Sequence, residues 1–400
     1  MAFLLGSCTA ENKKQKTILV VSGWQDINIG DIAHTPGLLQ VLEKSMPDAK
    51  IIVWKKSASK SVDELLKKHF PKIDIVNGSV GEDYAVTSPE VLEAIKKADI
   101  LIHGSGPSVL AENYIRAWNK LTPKPYGIFA TTIQEINPEL KELLQGAAFV
   151  FTRETASLEN LKKSGINKPK IMFIPDATFS VTIRNDEKNK LFMDSMGLGD
   201  KGFICVIPRY RKTPYESYSK ELLEEIKILN DSCKEKDHSK LREMMIKWVR
   251  TTNKKVVVCP EMTYEVGIMD ELLIDPLPED VKPYIIKHDY WYPDEAVSLY
   301  SHACCVVSLE CHSPILALSN GTPAFYIRQK EDTIKGQMYY DLGFNDWIFE
   351  IDETTGSQIS DRLMTVYNAY ESTQSYLKAG MQKSEKLLQA GAVIVKDILY

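Results

Sequence analysis

Short apolar runs alternate with amphipathic stretches along most of this chain. The predicted strands include runs such as TILVVSG, IIVW and ILIHGSG, and the predicted helices include SVDELLKKHF. A longer amphipathic pattern over residues 219–252 predicts a helix that is either continuous or broken near Asp231. Uninterrupted apolar strands joined by helices are typical of parallel sheets covered on both faces. The pattern therefore predicts an α/β protein with two tandem Rossmann-like domains, each a doubly wound parallel sheet, facing each other across a cleft.

A charged segment, residues 184–201, divides this pattern into two halves. It contains two glycines and no apolar strand, as linkers between domains commonly do. We therefore predict an N-terminal Rossmann-like domain over residues 17–183, a linker over residues 184–201, a C-terminal Rossmann-like domain over residues 202–355 and a helical segment over residues 356–400.

Composition and motifs argue against several classes of function. The chain has 400 residues and a formal net charge of -5, so it lacks the basic excess with which nucleic-acid binders neutralise phosphates. No apolar run reaches the ~20 residues that a membrane-spanning helix needs. The seven cysteines include no CxxC pair, so we expect no metal site. A dinucleotide fingerprint and a phosphate-binding P-loop are also missing, and we expect no bound cofactor.

The N-terminus carries a possible targeting signal. The first residues read MAFLLGSC, and a polar stretch, TAENKKQK, follows. An apolar run ending in Leu-Gly-Ser-Cys resembles a bacterial lipoprotein cleavage site, at which a lipid on Cys8 would anchor the chain. Residues 1–16 would then be a signal remnant and tether, and the protein would belong to the cell envelope. The alternative is a plain terminus and a cytoplasmic protein, because the apolar region is short and lacks a positive flank.

The most informative segment, Cys304–Arg328, predicts a buried strand, a short loop, a helix and a second buried strand. Ser313 is suited to cap that helix, and Pro314 is suited to its first position. In open parallel sheets, ligands bind beyond the carboxyl ends of the strands. His312 lies in the loop at such an end and is the candidate for catalysis. A capping or buried structural histidine is the alternative.

Two loops of the first half follow predicted strands and carry residues suited to ligands. The loop after the first strand begins at Trp24, whose ring can stack on a sugar, and ends at Gly30 and Asp31. Glycine permits close backbone approach to a ligand, and aspartate is suited to cap the next helix. The turn Gly104-Ser105-Gly106 can form a nest of N–H groups for a phosphate or carboxylate. A plain strand–helix turn is the alternative for both.

Two loops of the second half have the same position relative to strands. Arg209 and Arg211 follow the first strand of this half and can bind a carboxylate or phosphate bidentately. Tyr290, Trp291 and Tyr292 form an aromatic cluster that can stack on a sugar. The alternatives are a solvated pair of charges and aromatic packing in the core.

Taken in order, these segments resemble the polysaccharide pyruvyl transferase family from about Val20 to about Phe344. The resemblance rests on short motifs in a fixed order: Asn28-Ile29-Gly30-Asp31, Gly104-Ser105-Gly106, Thr152–Ser157, Asp176-Ala177, Arg209, Ser308–His312 and Gly321-Thr322-Pro323. It implies the two-Rossmann fold of GT-B glycosyltransferases, with a C-terminal helix that crosses back to the first domain. It also implies transfer of a pyruvyl unit from phosphoenolpyruvate, as a co-substrate, to two hydroxyls of a glycan, giving a cyclic ketal.

The resemblance also assigns roles to residues. His312 would be the general acid/base, and the helix starting near Ser313 would contribute its dipole. Arg153, Arg209 and Arg211 would contact the anionic donor.

The chain departs from the family at one position of the Ser-x-Arg-x-His pattern, where Glu310 replaces the arginine. Reversing one charge at ~4 Å changes an ionic contact by roughly 8 kcal/mol at an effective dielectric of 20, before solvent response. This leaves open a changed reaction, in which Glu310 and His312 form a carboxylate–imidazole pair that acts on a neutral glycan.

Three functions follow from the sequence. The first is a pyruvyl transferase-like enzyme that modifies a cell-surface glycan. The second is a non-enzymatic, glycan-binding envelope lipoprotein, and the third is a glycosyltransferase that uses a nucleotide sugar.

Overall fold

The computed structural model describes residues 15–400, which fold into two parallel sheets flanked by helices. Cys8, with the lipid anchor expected there, lies outside the described residues, as does nearly all of the expected tether. Among the helices of residues 15–400, none combines the length and the apolar character needed to cross a bilayer.

The first sheet is built from the N-terminal half of the chain and has seven strands. Its elements are β1 (Thr17–Ser22), α1 (Ile29–Ser45), β2 (Lys50–Lys55), α2 (Lys60–His69), β3 (Asp74–Asn77), α3 (Pro89–Lys97), β4 (Ile100–His103), α4 (Glu112–Leu121), β5 (Tyr126–Thr131), α5 (Pro138–Gly146), β6 (Phe149–Thr152), α6 (Thr155–Lys163) and β7 (Lys170–Phe173). The strand order is β3-β2-β1-β4-β5-β6-β7, and all neighbours are parallel.

The second sheet has six strands, preceded by α7 (Asp186–Met196). Its elements are β8 (Phe203–Ile207), α8 (Lys220–Thr252), β9 (Lys255–Val258), β10 (Ile285–Lys287), α9 (Pro293–Tyr300), β11 (Cys305–Ser308), α10 (His312–Leu318), β12 (Ala324–Arg328), α11 (Gln337–Leu342), β13 (Ile348–Glu350), α12 (Gly356–Asn368) and α13 (Tyr370–Leu399). The strand order is β10-β9-β8-β11-β12-β13, again with parallel neighbours throughout. The predicted pair of doubly wound sheets is confirmed.

Local sequence explains why the predicted elements form. β1, β4, β8 and β11 are almost entirely apolar and buried, as strands covered on both faces require. Several helices begin where a short polar side chain accepts a backbone N–H of the first turn. These caps are Asn28, Ser59, Ser88, Asn137 and Ser219.

Each sheet reverses its strand order once, between β1 and β4 in the first sheet and between β8 and β11 in the second. Such switch points open a crevice at the carboxyl ends of the strands, where ligands of this architecture bind. The segments that follow these four strands carry Gly30 in the first turn of α1, the Gly104-Ser105-Gly106 turn, Arg209, and His312 at the start of α10.

Several predicted boundaries need correction. Segment 184–201 is not a plain linker, because its middle forms α7, which packs against α9. The long helix α8 is unbroken at Asp231, whose carboxylate pairs with Lys227 and Lys234 on the same helix face. The short strands β10 and β13 and the helix α11 were not predicted, since three to six residues carry too little pattern to identify an element.

The two halves meet through backbone and side-chain contacts. The N–H of Ile29 donates to the carbonyl of Glu261 at 2.9 Å, and the N–H of Thr263 donates to the carbonyl of Ile27 at 3.0 Å. At another point, the carboxylate of Asp341 accepts from the N–H and hydroxyl of Thr155 at the start of α6. The C-terminal helix α13 lies against α1 of the first half. The carboxyl ends of both sheets are thereby held next to each other.

Candidate active site

His312 lies at the boundary between the two halves, directly after β11 and at the first position of α10. Its Nδ1 is 3.2 Å from the carboxylate of Glu261, and 11% of its side chain is exposed. Its Nε2 is buried and has no hydrogen-bond partner among residues 15–400. One ring nitrogen is therefore fixed by a carboxylate, and the hydrogen-bonding capacity of the other is unused within residues 15–400.

Glu261, which sequence reasoning missed, orients this ring and also closes the start of α10. Its fully buried carboxylate accepts from the N–H of Ser313 at 2.6 Å and from the Ser313 hydroxyl at 2.8 Å. The expected cap by Ser313 is wrong, because α10 begins at His312 and a carboxylate from another strand end takes the capping role. The start of α10 is thus already occupied by an anion, which removes it as a docking point for a donor phosphate.

The pKa values of this pair follow from their contact. Burial alone would lower the pKa of His312, but the hydrogen bond and the charge of Glu261 raise it above its ordinary value. Burial would raise the pKa of Glu261, and His312 and Ser313 together lower it. His312 consequently holds a proton more firmly than a free histidine, as suits a general acid near neutral pH.

A direct test of this pairing is the titration of His312 in Glu261→Gln. Without the carboxylate charge, we expect the pKa of His312 to fall, since an opposite charge at this range favours the protonated ring. The ring C–H resonances followed by NMR from pH 5 to 9 measure it. The ring resonances of His302, which pairs with Asp200 away from the substitution, serve as the control and should be the same in both proteins. An unchanged His312 titration would contradict the assignment.

Gly30 brings the first half against His312. Asn28 caps α1 by accepting from the N–H groups of Gly30 at 2.6 Å and Asp31 at 3.2 Å. The expected cap by Asp31 is therefore wrong, because its side chain points instead to Gln25 and His34. A Cβ at Gly30 would fall onto the His312 ring. The absence of a side chain at Gly30 thus makes room for the His312 ring, and not for a ligand against the backbone as the sequence suggested.

A second histidine, His34, was not identified from the sequence because it lies inside α1 and not at a strand end. It is fully buried, and its ring centroid is 5.0 Å from that of His312. Its Nδ1 is 2.8 Å from the Ser105 hydroxyl and 3.1 Å from a carboxylate oxygen of Asp176. The turn Gly104-Ser105-Gly106, which the sequence predicted as an anion-binding nest, thus contacts the His34 ring through the Ser105 hydroxyl.

The rest of the glycine turn packs against Trp24. The indole N–H donates to the carbonyl of Ser105 at 2.7 Å, and the ring stacks on His103 with centroids 4.8 Å apart. A Cβ at Gly106 would lie 3.0 Å from the indole nitrogen, and one at Gly104 would lie 3.0 Å from the Ser22 hydroxyl. These glycines are needed for close packing, whatever ligand the turn binds.

Arg153 is entirely buried and belongs to the same network. Its guanidinium donates to Asp176 at 2.7 Å and lies 3.6 Å from Glu154. Burial raises the pKa of Glu154 to about 7, against the opposing charge of Arg153. The resemblance assigned Arg153 to contact the anionic donor, but its positive charge is already paired with Asp176.

Arg209 and Arg211 are also engaged with carboxylates of their own half. Arg209 donates to Asp332 at 2.6 Å and lies 3.0 Å from Glu310, without the alignment of a hydrogen bond. Arg211 points to a different set of acidic partners: Asp237, Glu331 and Asp352. Arg209 therefore faces the site loop, whereas Arg211 is committed to a network that includes α8.

The expected pair of Glu310 with His312 is wrong, because Glu261 takes that place and Glu310 faces Arg209 instead. Burial raises the pKa of Glu310, as does the charge of Glu261, while Arg209 lowers it. The side chain can therefore lose its charge more readily than an exposed glutamate.

The aromatic cluster divides between core and surface. Trp291 is buried and donates from its indole to the carbonyl of Pro260 at 2.9 Å, so the structure leaves its ring no open face for a sugar. Tyr290 and Tyr292 are half-buried. The Tyr290 hydroxyl has no partner within the described residues, and burial, followed by neighbouring acidic groups that include Glu265 and Asp31, raises its pKa. Tyr290 is the member of this cluster best placed for a ligand.

His34, Asp176 and His312 place their ligand atoms within 4.8 Å of one another, the spacing of a metal site. The donor set fits a metal poorly, however. Asp176 already receives hydrogen bonds from Arg153 and from the N–H and hydroxyl of Thr178, and the Arg153 charge opposes a second cation. The arrangement is better suited to moving protons.

Comparison with known proteins agrees with this architecture. A glycosyltransferase from Rickettsia africae ESF-5 matches with a TM-score of 0.60 at 12% identity, covering 96% of this chain and 97% of that one. UDP-GlcNAc 2-epimerase from Neisseria meningitidis gives 0.57 at 11% identity, with 96% and 99% covered. Anabaena HepE, solved with UDP and glucose, gives 0.56 at 10% identity, with 96% and 98% covered.

These likenesses show the GT-B type of fold. No curated protein matches the chain significantly. A family model does match, over residues 28–331, a range that includes His34, Arg153, Asp176, Glu261 and His312. The chain therefore belongs to the polysaccharide pyruvyl transferase family.

Proposed function

We propose that this protein transfers a pyruvyl unit from phosphoenolpyruvate to two hydroxyls of a cell-surface glycan, with His312 as the general acid. The observation that carries the proposal is the buried Glu261–His312 pair at the meeting of the two domains, with Nε2 of the ring unpartnered within the described chain. A histidine held in one orientation and with a raised pKa suits proton delivery to carbon.

The reaction has a definite proton balance. His312 gives a proton to the methylene carbon of the donor, which becomes a methyl group, while the first sugar hydroxyl bonds to the adjacent carbon. Loss of phosphate and attack by the second hydroxyl close the ketal. Two hydroxyl protons are released: one restores His312, and the other leaves with phosphate. Glu261 stabilises the imidazolium before the transfer.

The main physical difficulty is repulsion of the anionic donor by the carboxylate of Glu310, which lies beside Arg209 and competes for its charge. The raised pKa of Glu310 offers a solution. When this carboxyl is protonated, Arg209 has one fewer carboxylate to neutralise and can serve the anionic donor. The donor would then bind together with a proton.

This solution predicts a gain of donor affinity in Glu310→Gln, which imitates the protonated state. We expect the KM for phosphoenolpyruvate to be about tenfold lower than that of the wild type at alkaline pH, because removing one repulsive charge at contact range exceeds the 1.4 kcal/mol that a factor of ten requires. The difference should narrow as the pH falls and the wild-type carboxyl takes up a proton. Steady-state phosphate release measures the KM of both enzymes across the pH range. Equal KM values of the two enzymes throughout would count against Glu310 as the donor-facing charge.

Phosphate release from phosphoenolpyruvate, assayed with a panel of p-nitrophenyl glycosides and bacterial surface polysaccharides, tests the function itself. Acceptor-dependent release and a mass gain corresponding to a pyruvyl ketal are expected. No release with any acceptor, together with no protection of the protein against thermal unfolding by phosphoenolpyruvate, would contradict the proposal.

We also propose attachment of a lipid at Cys8 and a location at the cell envelope, which the sequence MAFLLGSC supports. Labelling of the cells that produce the protein with a radioactive fatty acid distinguishes this from a cytoplasmic location. The Cys8→Ser variant should lose the label.

A further inference from the structure

We propose that His34 is a second catalytic histidine, which accepts the proton of the attacking sugar hydroxyl. This inference rests on the proposed function and extends it, because ketal formation needs a base for the hydroxyls as well as an acid for the donor. The two rings come from different domains and meet edge to face with centroids 5.0 Å apart.

The two histidines are held in the same way. In each ring, Nδ1 lies at hydrogen-bond distance from a buried carboxylate: Asp176 at 3.1 Å for His34 and Glu261 at 3.2 Å for His312. A charged carboxylate only accepts, so each Nδ1 carries the hydrogen. The neutral form of each ring therefore presents a lone pair at Nε2, and neither Nε2 has a partner among the described residues.

Asp176 is well suited to orient His34. Burial alone would raise its pKa, but His34 and Arg153 hold that pKa well below its usual range. The carboxylate therefore stays charged and keeps the Nδ1–H tautomer of His34 in place. The Ser105 hydroxyl, 2.8 Å from the same nitrogen, fixes the ring further.

Other buried histidines of the chain show the contrast. His103 accepts from the N–H of Ala111, and His238 contacts the carbonyl of Lys234, so both are fixed by backbone groups. Burial lowers the pKa of His103 to about 3 and that of His238 to about 4, which keeps them neutral and inert. An unpartnered ring nitrogen is therefore not enough to mark a histidine as catalytic. His34 is singled out because a carboxylate anchors its ring and because it lies beside the candidate acid.

The position of His34 also fits a hydroxyl substrate. Its Nε2 lies 3.8 Å from Asp31, a partly exposed carboxylate in the first turn of α1. Gln25 bonds to Asp31 and also reaches the Tyr215 hydroxyl of the second domain at 3.3 Å. Apart from the His312 ring, the groups named here are neutral or acidic, which favours a sugar hydroxyl over the anionic donor at this nitrogen.

The proton path then divides between the domains. His312 gives its proton to the donor methylene carbon, and Nε2 of His34 takes the proton of the first hydroxyl as its oxygen bonds to the neighbouring carbon. The second hydroxyl proton leaves with phosphate, and the proton on His34 passes to His312 to restore the starting state.

The decisive variant is His34→Asn, because the asparagine amide can keep the hydrogen bond to Asp176 while Nε2 is removed. We expect kcat for acceptor-dependent phosphate release from phosphoenolpyruvate to fall at least a hundredfold with little change in the donor KM. The acidic limb of the pH–rate profile should disappear, which a merely structural role would not cause. His302→Asn is the matched control and should retain full activity.

A second measurement needs no turnover. Long-range ¹H–¹⁵N NMR of the histidine rings should show His34 as the Nδ1–H tautomer with a bare Nε2 at neutral pH. An Nε2–H tautomer overturns the proposal whatever the reaction proves to be. Full activity in His34→Asn, with His312→Asn inactive, overturns the role of His34 while leaving the proposed function intact. A wild-type protein inactive with phosphoenolpyruvate contradicts the proposed function, and with it the proton-accepting role given to His34.

Discussion

His312→Asn is expected to lower kcat about a thousandfold while leaving the fold and the donor KM nearly unchanged. General acid–base groups typically contribute 10²- to 10⁴-fold to a rate, and this ring is the group that Glu261 holds with a raised pKa. Asparagine keeps a donor toward Glu261, so the start of α10 should remain intact. Phosphate release from phosphoenolpyruvate measures the loss.

The same assay on His302→Asn provides the control, since that histidine pairs with Asp200 away from the site. Circular dichroism and thermal unfolding of both variants establish that any loss is catalytic. Activity within tenfold of wild type would exclude His312 as the acid and would redirect attention to Glu154, whose pKa burial raises to about 7.

Asp176→Leu is expected to have the largest effect on stability, about 3–5 kcal/mol lost from the free energy of unfolding. Arg153 is entirely buried, and removal of its 2.7 Å partner leaves only Glu154, at 3.6 Å and with a pKa that burial raises to about 7, to balance its charge in the interior. His34 would lose its anchor as well. Urea unfolding followed by tryptophan fluorescence measures the change.

A double variant separates charge from packing. Arg153→Met combined with Asp176→Leu should recover most of the loss, because replacing both members of a buried pair is far less costly than removing one. Asp280→Ala breaks a bidentate pair with Arg250 on the surface and should cause a much smaller change. A small effect of Asp176→Leu alone would show that water reaches this network.

Strand-end loops are the part of the site that local sequence identifies well. His312, Arg209 and Gly30 each follow a buried strand, and in a parallel sheet all such ends lie along one edge. Glu261 has a comparable signal, since it comes three residues after β9, but nothing in the sequence distinguishes it from other carboxylates. His34 gives no signal at all, because it occupies an interior turn of a helix.

What the sequence determined by itself is the alternation of strands and helices, and hence two doubly wound sheets with their loops at known edges. This follows from short-range physics: the spacing of apolar residues, helix caps and glycine stops act within a few positions. Only the tertiary structure decided which carboxylate pairs with each histidine of the site. Glu261 reaches His312 across 51 residues and Asp176 reaches His34 across 142. Those pairs depend on which strand ends and helices adjoin within each half, and the contact between the His34 and His312 rings depends on how the two domains are turned toward each other. No local pattern records either.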